Sequence, residues 1–240
     1  MRGNMTKEQI LYEDDDIIVC HKPAGIATQT AKVGQRDMVS EVTNYLAAHD
    51  QGKPYVGIIN RLDQPVEGIL VFGKNQKAAN ALSRQIVENR MEKYYYAVVS
   101  GKGLSVNVEP EGIRRETLTD HMLKDNRSNM SRIVSPEVKG AKKAVLKYEV
   151  LERKESIALV RIKLITGRHH QIRVQMSHAG MSLLGDHKYA DEQTKKLSDE
   201  LQQKQAALCA YRLEFTHPLT GKRLSFQRKP EGSIFQNFSI

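Results

Sequence analysis

The chain has 240 residues, with 37 Lys and Arg against 28 Asp and Glu and a formal net charge of +9. Its two cysteines, Cys20 and Cys209, are too far apart for a metal knuckle or a disulfide framework, no run approaches the roughly 18 apolar residues of a membrane span, and the N-terminal residues carry no apolar signal segment. Membrane, secreted and disulfide-scaffold classes are excluded, a cytoplasmic location is expected, and the positive surplus points to a polyanionic partner.

In chain order, short β-type runs predict strands over residues 17–20, 68–72, 94–99, 145–151, 158–165 and 208–215. Met38, Val42 and Leu46 fall on one helical stripe, predicting a helix over 38–47. Ala79, Leu82 and Ile86 do the same behind Asn75, a candidate N-cap, predicting a helix over 76–91. Residues 192–204 read as a polar, exposed helix. From Val160 to Leu164 the apolar residues alternate with Arg161 and Lys163, the pattern of a half-buried strand with a basic outer face. Residues 109–140 are poor in apolar residues and read as a long loop. Strands outnumber helices without strict alternation, so the expected class is α+β, with a mixed, mostly antiparallel sheet and flanking helices. No internal repeat or linker composition divides the chain, and residues 1–240 read as one catalytic domain.

The charge is unevenly placed. Residues 1–60 hold six Lys and Arg against eight Asp and Glu, whereas residues 114–154 hold eleven against six. There the cations are interleaved with aliphatic residues, as at Lys139, Lys142, Lys143 and Lys147. That spacing suits one face of a folded surface, either merely solvated or tracking phosphates.

Familiar cofactor signatures are missing. Residues 68–75 imitate a phosphate-binding loop, but the four residues after Gly68 are a strand and Asn75 stands where a hydroxyl would hold magnesium. His169 and His170 have no cysteine or carboxylate at ligand spacing, so no zinc site is expected there. Two segments remain. In Asn60-Arg61-Leu62-Asp63-Gln64-Pro65, a carboxylate beside a cation precedes a buried strand; Asp63 is an acid, base or nucleophile, or a residue that caps the turn. In Thr166-Gly167-Arg168-His169-His170-Gln171-Ile172-Arg173, the arginines are either an exposed basic turn or, if turned inward, in need of partners.

Taken together with Leu11 to Gly25 (ending Lys22-Pro23-Ala24-Gly25), Lys93-Tyr94-Tyr95-Tyr96-Ala97, Gly185-Asp186, Tyr189 and the closing run Leu213 to Pro218, these segments make the chain similar to the RluA-type pseudouridine synthase family over nearly its whole length. The resemblance implies the pseudouridine synthase fold with a central catalytic cleft. It implies isomerisation of specific uridines in ribosomal or transfer RNA, acting on a flipped-out base. It implies Asp63 as nucleophile, Tyr95 stacking on the uracil, and Arg173 pairing with Asp63. Arg61 would fill the gap left by the extruded nucleotide, Ile172 would pack on the base, and Arg168, His170 and Gln171 would support the pocket or its RNA rim. Base flipping costs a few kcal/mol of unstacking, and an aromatic platform returns roughly 1–3 kcal/mol. A nucleophilic carboxylate must be ionised; burial opposes that and a guanidinium favours it. No cofactor, metal, DNA or membrane partner is expected, and a monomer is.

The chain departs from the family pattern at Asn60 and Cys209, where histidines are usual, and at Val66-Glu67-Gly68, where a threonine-serine-glycine run is usual. Glu67 would add a negative charge near an RNA-facing turn. The chain also begins close to the catalytic core, so no separate N-terminal RNA-binding domain is expected. The alternative is a non-catalytic RNA-binding protein on the same fold. A glycoside or nucleoside hydrolase would need a second carboxyl, Glu67 being the candidate, about 5–9.5 Å from Asp63. The predicted phosphate-tracking face comprises residues 114–154 with Arg61, Arg161, Lys163 and Arg168.

Overall fold

A computed structural model of the chain describes residues 5–32, 34–49, 54–105 and 115–240. In chain order its elements are β1 (Ile10–Glu13), β2 (Ile17–Lys22), α1 (Met38–His49), β3 (Gly57–Ile58), β4 (Glu67–Gly73), α2 (Gln76–Val87), β5 (Glu92–Ser100), β6 (Arg115–Asp125) and β7 (Met130–Ile133). There follow β8 (Lys142–Lys154), β9 (Ile157–Leu164), α3 (Gln171–His178), β10 (Ser182–Leu183), α4 (Glu192–Glu200), β11 (Leu208–Thr216) and β12 (Arg223–Gln227). They form two compact units, one of Met1–Glu92 with Ala210–Lys229, the other of Lys93–Cys209 with Pro230–Ile240.

In the first unit the strand order is β1-β2-β4-β11-β12, with β3 added to β4. Every residue of β2 and β4 is buried, which is why Ile17 to Cys20 and Ile69 to Phe72 read as apolar runs rather than as alternations, with His21, Lys22 and Glu67 buried at the strand ends. The two pair antiparallel, His21 opposite Ile69 and Lys22 opposite Gly68. Ala78, Ala79 and Leu82 of α2 pack on Ile17, Val19, Ile69, Val71, Leu213 and Phe215. The predicted cap is present: Asn75 Oδ1 accepts the Ala78 N–H at 2.8 Å. The helix stops at Val87, short of the predicted 91, because Asn89 turns left-handed at φ 53°. His217 ties the ends of this unit's chain together. Its Nδ1 accepts the Leu219 and Thr220 N–H groups, so Nε2 carries the proton and donates to Asp14 Oδ2 at 2.8 Å.

In the second unit the order is β5-β9-β8-β6-β7, every one of these pairings antiparallel, and β10 pairs antiparallel with β5. All six predicted strands are present, mostly lengthened by a few residues at their ends. Two expectations need correction. The loop expected over 109–140 contains the β6–β7 hairpin; its first residues, to 114, lie outside the described ones. The hairpin is silent in sequence because most of β6 is exposed or half-buried. It is held by polar contacts, Tyr148 Oη donating to Glu116 and Arg115 to Glu149, and by buried Met122, which clusters with Ala144 and Val174 and has Ile133 packed against it. The serine- and asparagine-rich stretch is its tip, where Asp125 accepts the Arg127 N–H and the Ser128 hydroxyl. The second correction is α3, which falls where only a basic turn was considered. With six of its eight residues buried it has no amphipathic stripe to betray it. Among the described residues no helix is long and apolar enough to cross a membrane.

Candidate active site

In the first unit, Asp63 sits in a turn secured from several directions. Its carbonyl accepts the Val66 N–H at 3.1 Å. Thr28 Oγ1 donates to the Leu62 carbonyl and accepts the Leu62 N–H, at 2.9 and 3.1 Å. Gln64 exchanges bonds with Gly25, its carbonyl accepting the Gly25 N–H and its side-chain amide donating back. Asn60 brackets β4: Nδ2 donates to the Ile69 carbonyl and Oδ1 accepts the Val71 N–H. Leu62 and Val66 are buried anchors, Arg61 is exposed and Asp63 half-buried. A backbone held at so many points fixes the direction in which the Asp63 side chain leaves the chain. Gly68 follows with φ +134°, and a Cβ there would meet the Ala210 backbone at 2.5 Å, so no other residue fits that approach.

Lys22 is fully buried beneath this turn. Its ammonium donates to the Pro23, Ile26 and Gln64 carbonyls at 3.0, 2.5 and 3.2 Å. Burial lowers its pKa to about 7, against the opposing pull of the Asp63 and Glu67 carboxylates. An unfolded lysine keeps its proton to its ordinary 10.5, so between about 7 and 10.5 the unfolded chain binds more protons and rising pH favours the fold. Urea unfolding should show wild type gaining about 3–5 kcal/mol relative to Lys22→Met between pH 6 and pH 10. A pH-independent difference would contradict this.

The departures from the family pattern acquire physical meaning. Glu67, expected to add a negative charge near the turn, lies in the interior. It is 5% exposed, and its carboxylate lies 3.8 Å from the equally buried His21 imidazole. Position 67 opens β4, whose every side chain is interior, so its charge belongs to the core beside the turn. Burial also makes Glu67 a poor second carboxyl for a hydrolase, which must reach substrate or water. Asn60 is a backbone bracket, and Cys209 is buried.

In the second unit, Tyr95 is buried on β5 opposite Ile162 of β9. Arg173 is 4% exposed on α3, with Nε and Nη2 forming a bidentate pair to Asp186 at 2.8 and 2.6 Å. Tyr189 places its ring 5.1 Å from the Arg173 guanidinium carbon, and Asp186 also accepts the Lys188 and Tyr189 N–H groups. In the sequence Gly185-Asp186 and Tyr189 carry only the family resemblance. That they hold Arg173 is visible only once the segment after α3 folds back. His170, left-handed at φ 56°, opens α3 with Nδ1 2.7 Å from Tyr189 Oη, and its ring stacks on His169 at 3.7 Å. His169 Nδ1 lies 2.9 Å from Ser131 Oγ, and Tyr189 Oη accepts the Ser131 N–H, so both histidines are linked to the β6–β7 hairpin. Gln171 spends its whole amide on protein: Oε1 accepts Thr166 Oγ1 and the Arg168 N–H, while Nε2 donates to the Val145 carbonyl and Gln175. It shapes the start of α3 and has no group left for substrate. Ile172 is buried in α3, and Arg168 donates to the Lys143 carbonyl beside exposed Lys142 and Lys143.

The register revises the predicted phosphate-tracking face. Lys93, Tyr95, Ile162 and Leu164 share one face of the β5–β9 pair, while Tyr94, Tyr96, Arg161 and Lys163 share the other. Arg161 and Lys163 therefore point away from Tyr95. Arg161 is paired with Glu149, which also takes Arg115, and Lys163 lies over the Tyr94 ring. As for metal ligands, Asp14, Asp16 and His217 bring donor atoms within 4.8 Å of one another, but the Nε2–H of His217 already donates to Asp14. They read as a structural staple.

A family model described as RNA pseudouridylate synthase matches residues 16–178, a span that includes Asp63, Tyr95 and Arg173. The chain belongs to that family. It is 34% identical over 241 residues to the ribosomal large subunit pseudouridine synthase D of Neisseria meningitidis serogroup B, covering 96% of this chain and 60% of that protein. It is 31% identical over 220 residues to the ribosomal large subunit pseudouridine synthase C of Haemophilus influenzae, covering 92% of this chain and 64% of that one. The chain thus spans less than two thirds of the length of these curated relatives. The solved structure of human RNA pseudouridylate synthase domain containing 4 shares the fold at a TM-score of 0.72 and 22% identity, over 93% of this chain and 89% of the human one. The expected pseudouridine synthase fold is thereby established.

Proposed function

We propose that this pseudouridylate synthase family member isomerises uridine to pseudouridine in large-subunit ribosomal RNA. The observation that carries the reading is the Asp63 turn: a half-buried carboxylate on a backbone fastened at Leu62, Asp63, Gln64 and Asn60, within the span matched by the family model. The names of the curated relatives favour large-subunit RNA over transfer RNA. In this reading the uridine is extruded from its stem, its base stacks on Tyr95, and Asp63 acts as the nucleophile. The bond from ribose C1′ to N1 breaks, the uracil turns, and C1′ joins C5; the C5 proton leaves and N1 gains one. Arg173, held by Asp186, is the cation that pairs with Asp63 in this reading. Arg61, exposed beside Asp63, occupies the space the base vacates. Ile172 packs against the base, and His170 and Gln171 hold the start of α3 that carries it.

Arg168, Lys142 and Lys143 form the phosphate-tracking surface of the second unit. Neutralising both lysines should reduce the slope of log affinity against log salt by up to about two if each contacts a phosphate. An unchanged slope would move the RNA path elsewhere. The reading itself is tested by mapping pseudouridine in ribosomal and transfer RNA from cells with and without the protein. One or a few large-subunit sites should revert to uridine. Identical maps would refute catalysis and favour a purely RNA-binding role.

A further inference from the structure

We propose that Lys93 is a phosphate-binding residue of the RNA site, its ammonium receiving a backbone phosphate of the strand whose uridine stacks on Tyr95. The proposal deepens the reading of the chain as an RNA pseudouridine synthase and rests on it.

The argument begins with an imbalance. Lys93 is half-buried at the start of β5, and among the described residues no hydrogen bond or ion pair engages its ammonium. Burial holds its pKa below the usual lysine value, and no carboxylate acts against that. Lys22 makes the contrast: the other deeply placed lysine of the chain is satisfied by three carbonyls. A cation withdrawn from water without an acceptor is unfavourable, and such a group is retained at a binding site because the ligand supplies the missing charge.

Position then names the ligand. Lys93 and Tyr95 are two residues apart on one strand, so their side chains leave the same face, about 7 Å apart along it. A nucleotide has an apolar ring and an anion joined by a sugar, and this face offers an aromatic ring and a cation at a comparable spacing. Ile162 and Leu164, the cross-strand partners, complete an apolar wall. Gly167, just ahead of Arg168, adjoins the ammonium: a Cβ there would lie 3.7 Å from Lys93 Nζ, an ordinary contact. The cations of the opposite face, Arg161 and Lys163, are engaged by Glu149 and Tyr94, which leaves Lys93 as the uncommitted charge on the Tyr95 side of this strand pair.

The test measures binding and turnover of an unmodified large-subunit ribosomal RNA transcript by wild type, Lys93→Met and Lys93→Arg across a salt series. Methionine keeps the length and removes the charge, and it should melt no lower than wild type because it deletes an unpartnered buried ammonium. Lys93→Met is expected to lower the slope of log affinity against log salt by about 0.7–0.9, the value of one phosphate contact. Its KM should rise severalfold while kcat holds, and Lys93→Arg should restore the slope. A wild-type slope and KM in Lys93→Met, with uridine still converted, would overturn the proposal and leave the enzymatic reading standing. The slope change in a protein that converts no uridine would support the contact and sink the enzymatic reading. A wild type that neither binds the transcript nor modifies it overturns both.

Discussion

Asp63→Asn is expected to abolish pseudouridine formation, lowering turnover by roughly a thousandfold or more, while the protein stays folded and binds RNA within a few-fold of wild type. Asparagine matches the size of the side chain but cannot act as an anionic nucleophile. The fold tolerates it because the turn is built from backbone groups at this position: the Asp63 carbonyl accepts the Val66 N–H, and the Thr28, Gln64 and Asn60 bonds do not involve its carboxylate. Pseudouridine is measured in the transcript after incubation, with unfolding and RNA affinity as controls. Retained turnover would remove Asp63 from the chemistry. Loss of turnover together with loss of the fold would contradict the backbone argument.

Asp186→Ala is expected to destabilise the protein by about 3–5 kcal/mol, read by urea unfolding at neutral pH. The Arg173 guanidinium is 4% exposed, so without Asp186 its charge would lie in the interior without its bidentate partner, and the Lys188 and Tyr189 N–H groups would lose an acceptor. The contrast with the pair removed together is the informative part. Arg173→Met with Asp186→Leu should recover much of the lost stability, because well-packed apolar residues commonly replace a buried ion pair at little cost. It should not recover turnover, because the guanidinium proposed to act in the reaction is gone. A loss below about 1 kcal/mol in Asp186→Ala would show that the guanidinium is supported elsewhere. Arg173→Lys is not expected to rescue, since an ammonium cannot reproduce the two parallel bonds.

These two predictions show how differently the site is written in the chain. Asp63 stood out because it is local: a carboxylate beside Arg61, ahead of an apolar run, in a segment that matches a family motif. The strands that position it were legible for the same reason, since 17–20 and 69–72 are continuous apolar runs. The cap at Asn75 was equally plain, because a cap and its helix are neighbours in sequence. Residues whose function depends on distant partners were not visible in this way. Thr28 bonds Leu62 across 34 positions and His217 bonds Asp14 across 203, and nothing near either residue signals the connection.

Composition and local pattern therefore determined the α+β class, the six strands, the three longer helices and the segments that carry the family resemblance. They could not show which side of a strand a charge would take once the register was set. Pairing in register put Arg161 and Lys163 on the face opposite Tyr95 and Lys93 beside it, and burial of both faces of β4 placed Glu67 in the core. The return of the segment after α3 gave Arg173 its partner in Asp186. A charge reads the same in sequence whether it is buried or solvated. Only the tertiary structure decides which, because burial and pairing depend on residues the chain brings back from far away.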